Sequence, residues 1–335
     1  MNNTAVKQFV LIGIILVLAY VLGAQMFAFF PGLLGAVTLY ILMREYYFKL
    51  TVIKHYNKSL IATLFILASI IVIVLPIAGI VQVIVHKFAG IIDNQAAITK
   101  TLQDLSQKTK SLPSFMRINQ QQVMQVVQKI AAELPGVLGA TANMLTNAVL
   151  SFFLLYFMLV DGRKMEMSIK KYLPLKDSNI DNIWSSTRTM VISNAIGIPV
   201  LAGCQAIVAI IGYAIFGIDE YILWGILTGV ASLVPVVGCM LVWGPLAIYL
   251  FATAHPAAAL GLALYSFIIT GGIDNVLRFT ILKKLGDVHP IITTLGIIVG
   301  LPMFGFMGLI FGPLLISYLL LLMQVYRVEF PERTE

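Results

Sequence analysis

The chain reads as an all-α, polytopic integral membrane protein with about seven or eight hydrophobic segments, on three observations. Its 335 residues are 59% hydrophobic and only 11% charged, less than half the charge of an average soluble domain, which carries roughly 25%. Several apolar runs reach the ~20 residues that one helical crossing of a bilayer requires. From Tyr221 to Ile273 there is no Lys, Arg, Asp or Glu at all, and no core element of a water-soluble domain needs such a stretch.

Uninterrupted apolar runs predict segments over residues 9–30, 32–43, 60–85, 138–160 and 191–216, then the uncharged run, then a last block over 290–326. The first run follows only Lys7, lacks a small-residue cleavage site and continues across Pro31-Gly32 into a short second arm. It is therefore expected as a retained, tight hairpin and not as a cleaved signal peptide.

The long run is interrupted by Pro235, Gly238 and Pro245, and the last block by Gly300, Pro302, Gly305, Gly308 and Pro313. Broken backbone at membrane depth is tolerated only where its freed groups face protein or a water-filled cavity. Two Gly/Pro-broken hairpins, kinked or re-entrant, are expected there. Paired interruptions of this kind are also the best sequence pointer to a transporter's binding site.

Between these segments lie amphipathic stretches. Phe88, Ile91, Ile92, Ile98, Leu102 and Leu105 recur at helical spacing before Pro113, and Val123, Val126, Val127, Ile130 and Leu134 do so after Asn119. They predict an extramembrane helical hairpin joined near residues 111–114. Ile180, Ile183, Trp184, Thr187 and Val191 form a further stripe, and Trp184 amid Lys and Arg residues suits an interfacial helix. The organisation expected is thus an N-terminal membrane hairpin and third span over 1–86, followed by an extracytoplasmic helical hairpin over 87–137. A span follows at 138–160, then cytoplasmic amphipathic helices at 161–194, a C-terminal membrane transport core at 195–327 and a cytoplasmic tail at 328–335.

The net charge of +7 is explained by topology and not by nucleic acid. Lys7, the Arg44 to Lys58 group, the Arg163 to Arg188 group, Arg278, Lys283, Lys284, Arg327 and Arg333 fall on one side if the broken regions are hairpins. Loops 217–220 and 253–256 carry no Lys or Arg. The positive-inside rule then places both termini in the cytoplasm, as for a multi-pass protein of a bacterial inner membrane.

Enzyme motifs are absent: there is no HExxH, GxSxG, CxxC or GxxxxGK[ST]. The four histidines, His55, His86, His255 and His289, are too scattered for local metal spacing, and Cys204 and Cys239 sit inside apolar runs. No cofactor and no metal are expected. A carrier or channel driven by gradients remains.

The strongest polar constellation near membrane depth is Asp274, Asn275 and Arg278. Asp274 and Arg278 stand four apart and share a helix face, and Gly271-Gly272 thin the chain beside a carboxylate and amide suited to a cation or polar solute. An ionisable residue at the edge of an apolar run is a functional candidate by default, although the pair also fits a plain helix end. Ser232, Thr228, Asn194 and Gln205 are further candidates, each also explicable as an interhelical hydrogen bond worth ~0.6 kcal/mol in a bilayer. Pro235 and Gly238 enter through the break, and His289 as the cap or relay that opens the last block.

Three blocks together carry a family resemblance. Asp274-Asn275-Val276-Leu277 is followed by His289-Pro290 and the Gly300 to Gly312 run; Leu233-Val234-Pro235-Val236-Val237-Gly238 forms a turn; and Asp161-Gly162 precedes Leu173-Pro174. Over residues 9–326 this order resembles the autoinducer-2 exporter family of permeases. Phe279 stands where that family carries proline, and Val288 where leucine is common. The resemblance implies a homo-oligomeric inner-membrane permease, from a family assigned to export of a signalling furanone or to cation/proton exchange.

The expected function is a secondary transporter of a small polar solute or signalling molecule, coupled to a proton or sodium gradient. Its path would run between the Leu233 to Gly238 break and the Asp274 to Arg278 segment. A passive channel and a non-transporting membrane scaffold are the alternatives. The partners expected are the solute, H+ or Na+, the lipid bilayer and further copies of the chain, with no nucleic acid.

Overall fold

The computed structural model describes residues 3–93, 120–172, 177–234, 237–253, 255–277, 280 and 290–329, and among these there is no strand. The N-terminal half comprises α1 (Asn3–Met26), α2 (Phe30–Phe48), α3 (Lys58–Ser69), α4 (Leu75–Asp93), α5 (Gln120–Val160) and the short α6 (Gly162–Tyr172). The C-terminal half comprises α7 (Asp177–Ile215), α8 (Tyr221–Ala231), α9 (Gly238–Ala252), α10 (Pro256–Tyr265), α11 (Gly271–Leu277), α12 (Pro290–Phe304) and α13 (Gly308–Glu329). Wider π-helical turns at Lys49–Ile53, Ile70–Val74 and Ser266–Thr270 extend α2, join α3 to α4 and join α10 to α11.

The hairpin expected across Pro31-Gly32 is not formed. Met26 and Phe30, which flank the Phe27–Phe29 turn, and Phe29 are all in right-handed helical geometry, and the helical rod continues to Ile53. Pro31 occupies the first turn of α2, where its missing N–H costs nothing and its fixed φ suits a helix. Gly32 serves packing instead of turning: its N–H donates to Asn147 Oδ1 at 2.9 Å, and a Cβ there would lie 2.8 Å from the Asn147 carbonyl oxygen. A cytoplasmic N-terminus loses the support that the hairpin lent it.

Among the described residues, five helical stretches are long and apolar enough to cross a bilayer, or six if the bent pair α12 and α13 is one span. The count falls below the segments read from sequence because the first two merge and because α8 and α9 are short. With 11 and 15 residues, they reach roughly 17 and 22 Å against a hydrocarbon core of about 30 Å. Helix α5 is continuous over 41 residues, so the second amphipathic helix and the following span are one element. Residue 194 likewise lies inside α7. The joint expected at 111–114 is outside the described residues.

The glycines of the last block act mostly in packing. Only Gly305, at φ +57°, turns the chain, and there α12 and α13 bend by 120°. Gly296 and Gly300 face Gly308, Gly312 and Pro313 so closely that a Cβ at Gly300 would come within 2.6 Å of the Gly312 Cα. The same device joins α8 to α7: a Cβ at Gly229 would lie 2.6 Å from the Ala202 carbonyl oxygen and 2.7 Å from the Ala206 Cβ. Small residues four apart allow this backbone approach, the usual means of helix association where lipid removes the hydrophobic drive.

Helix α7 is the spine of the C-terminal half. Its buried stripe, Thr187, Val191, Asn194, Ile198, Leu201, Gln205, Ala209 and Gly212, advances in steps of three and four, as a helix face must. Val191 packs with Ile41 of α2 and with Ile310, Phe311 and Leu314 of α13. Ile198 meets Ile297, Leu309 and Leu233, so both the end of α8 and the α12/α13 hairpin reach its middle. Ala209 and Tyr213 pack with Leu246, Leu250 and Leu262. Outward residues such as Phe153, Leu241, Ile248 and Leu319 are more than half exposed and apolar, a surface suited to lipid.

Candidate functional site

Two of the sequence candidates, Asn194 and Gln205, lie on the inner stripe of α7 and are 3% and 0% exposed. Pro199 stands between them inside the helix, where it removes one amide and leaves the carbonyl of Ala195 without its helical partner. Gln205 Nε2 donates to the Thr270 carbonyl at 3.2 Å, while Gln205 Oε1 is buried without a partner. Thr270 ends the wide turn that begins at Ser266, and both residues are almost fully buried. The Ser266 hydroxyl is also unpartnered.

The α8/α9 hairpin supplies further buried polar groups. Thr228 Oγ1 and the Tyr213 hydroxyl are 2.7 Å apart, joining α8 to α7. Ser232, 1% exposed, donates to the Gly229 carbonyl at 2.7 Å where α8 ends. Gly238 is required by the return of the chain, since a Cβ there would collide with the Ala231 carbonyl and lie 3.3 Å from the Ser232 nitrogen.

The remaining candidates are placed differently. Asn275 is exposed and donates to the Gly271 carbonyl of its own helix at 3.0 Å, so it does not join the buried seam. Gly271 and Gly272 do not mediate close packing: a Cβ at Gly271 would meet only the Ser266 carbonyl at 3.7 Å, and one at Gly272 nothing within 4 Å. Asp274 lies on α11, immediately past the turn that holds Thr270, with its side chain outside what is described. Pro235, Arg278 and His289 are likewise outside the described residues.

Sequence reading missed Ser266 and Thr270, although two hydroxyls four apart before Gly271-Gly272 in an uncharged run were a visible signal. It also missed a clamp at the other end of α7. The Arg44 guanidinium grips Glu166 of α6 through Nε and through Nη2, the latter at 2.7 Å from Oε2, and the Tyr40 hydroxyl donates to Glu166 Oε1 at 2.7 Å. The same guanidinium lies 5.1 Å from the Phe48 ring centroid and 5.5 Å from that of Trp184. Arg188 bonds Glu45 at 2.7 Å. Consecutive residues of α2 thus hold α6 and α7. Trp184 is half-buried beneath Arg44.

Burial would raise the Glu166 carboxyl, but the hydrogen bonds from Arg44 and Tyr40 outweigh it and hold the group below its ordinary value. A carboxyl lowered on folding stabilises the fold above its unfolded pKa and loses that contribution as pH falls through the folded value. The clamp should therefore persist through neutral pH and weaken only once the pH falls below the ordinary carboxylate range. Glu166→Gln should cost about 1 to 2 kcal/mol, between the worth of exposed and buried pairs, because the two side chains are 27% and 29% exposed. Thermal unfolding in detergent between neutral and acid pH checks this. An acid sensitivity unchanged by the substitution would contradict it.

A family model described as "AI-2E family transporter" matches residues 9–328. A protein of Aquifex aeolicus named "Putative transport protein" is 32% identical over 176 residues, covering 52% of this chain and 49% of that protein. A Helicobacter pylori protein of the same name is 30% identical over 206 residues, 58% of each. A transport protein so named in Mycobacterium tuberculosis is 23% identical over 293 residues, 82% of this chain and 76% of that one. The match spans about half the length of the Aquifex and Helicobacter relatives.

Proposed function

The chain belongs to the AI-2E family of transporters, and from that membership we propose a secondary transporter that moves a small polar solute or signalling molecule, coupled to a proton or sodium gradient. The observation that carries this reading is the convergence of two helical hairpins, through Leu233, Ile297 and Leu309, on the middle of α7. Buried polar groups on α7 and on the elements packed against it, Asn194, Gln205, Ser232, Ser266 and Thr270, form the seam of this reading, with Gln205 bonded to the Thr270 carbonyl. Carriers place their solute and ion sites where discontinuous helices meet near the bilayer midplane. The α8/α9 and α12/α13 hairpins enter from opposite faces as re-entrant elements in this account. The path follows the seam from Ser232 to the segment that bears Asp274. Homo-oligomers in the bacterial inner membrane, without a cofactor, are the working form.

A carrier and a channel part company in planar bilayers. The purified protein should give no unitary conductance steps under symmetric salt, and reproducible steps would replace the carrier with a channel. Orientation is checked by cysteines placed near Lys54 and near Ser178 in a background free of Cys204 and Cys239. Both should be protected from an impermeant thiol reagent in intact cells. Labelling of either from outside would invert the arrangement.

A further inference from the structure

We propose that the α7 seam holds a partly dehydrated monovalent cation between Gln205 Oε1 and the Ser266 hydroxyl, on the wide turn Ser266–Thr270. Two buried polar side-chain atoms here lack any partner, and both are oxygens. The amide of Gln205 cannot turn over to relieve this, because its nitrogen is engaged by the Thr270 carbonyl and reversal would set oxygen against oxygen. An unmade polar group costs about 1 to 3 kcal/mol when buried, so two in one seam point to a species that they receive.

That species is electron-poor. An anion would face the Gln205 and Thr270 oxygens and be repelled. Among the described residues no group of three or more His, Cys, Asp or Glu exists that could hold a metal, and neutral oxygens alone do not repay the dehydration of Mg2+ or the charge of Ca2+. A singly charged ion, Na+ or K+, is the class that fits. The π-helical geometry contributes as well, since such bulges loosen the carbonyl ladder and recur at functional sites.

The inference rests on the transport reading for its place in a cycle, but it is tested by binding alone. The full-length protein in detergent is melted in chloride salts of N-methylglucamine, sodium or potassium at constant ionic strength. One of the alkali ions should raise the melting temperature with a saturable dependence, and the two arms say which ion it is. Gln205→Leu, which removes the orphan oxygen while filling its space, should weaken the apparent affinity by about tenfold or more, the loss of one charge-assisted contact. Ser266→Ala should weaken it in the same direction, and both variants should melt normally in N-methylglucamine. A wild type indifferent to both alkali ions would leave only a buried water and overturn the site. Ion stabilisation unchanged in both variants would overturn it equally. Saturable ion binding without coupled flux would uphold the site and sink the transport reading.

Discussion

Gly308→Leu is expected to abolish the native α12/α13 hairpin, and with it the recovery of monodisperse protein from detergent. A Cβ at Gly308 runs into the carbonyl of Gly300 and lies 2.6 Å from the Leu301 nitrogen. The obstacles are backbone atoms, so no rotamer change relieves them. Overpacking a core with flexible neighbours costs about 1 to 3 kcal/mol, and a blocked backbone crossing belongs at or above the top of that range. Ile310, Leu309 and Leu314, which seat α13 on α2 and α7, would be displaced together. Gly23→Leu is the control, since a Cβ there meets nothing within 4 Å, and it should leave expression and elution unchanged. Equal behaviour of the two variants would show that the crossing is not held by its glycines.

Asp274→Asn is expected to reduce coupled transport to background while expression, melting temperature and oligomer size stay near wild type. Asp274 is the first acidic residue after more than fifty uncharged positions, and it stands on the helix that leaves the turn bearing Thr270. Asparagine keeps the size and hydrogen-bonding capacity but removes the charge and the proton site. A carboxylate that serves a gradient cannot be replaced this way, whereas one that merely ends a helix can. Coupled transport at the wild-type rate in Asp274→Asn would refute the assignment and leave the plain helix end.

What could be read from the chain divides along physical lines. Membrane residence, helix class and the long polar-punctuated run are consequences of composition and period, and they were legible. Asn194 and Gln205 were legible as polar residues in an apolar segment, and the stripe spacing of α7 explains why both are buried. The turn at Gly238 was legible because a break needs a glycine. Pro31-Gly32 misled because proline begins a helix as readily as it ends one, and only the Asn147 contact from α5 shows which it does here. Gly300 and Gly308 look like breakers in one dimension but are contact surfaces in three. The Arg44 and Glu166 pair spans 122 positions, and no local pattern announces it. Ser266 and Thr270 were passed over because hydroxyls in apolar helices usually bond their own backbone; Ser266 does not.

The most direct measurement is solute flux in proteoliposomes containing the purified wild-type chain, screened over small polar solutes with an imposed proton or sodium gradient. The account predicts at least one solute whose flux saturates with concentration, exceeds that of empty vesicles, and collapses when an ionophore dissipates the gradient. Flux that is identical with and without either gradient, or that rises linearly with concentration, would contradict coupled transport through the α7 seam.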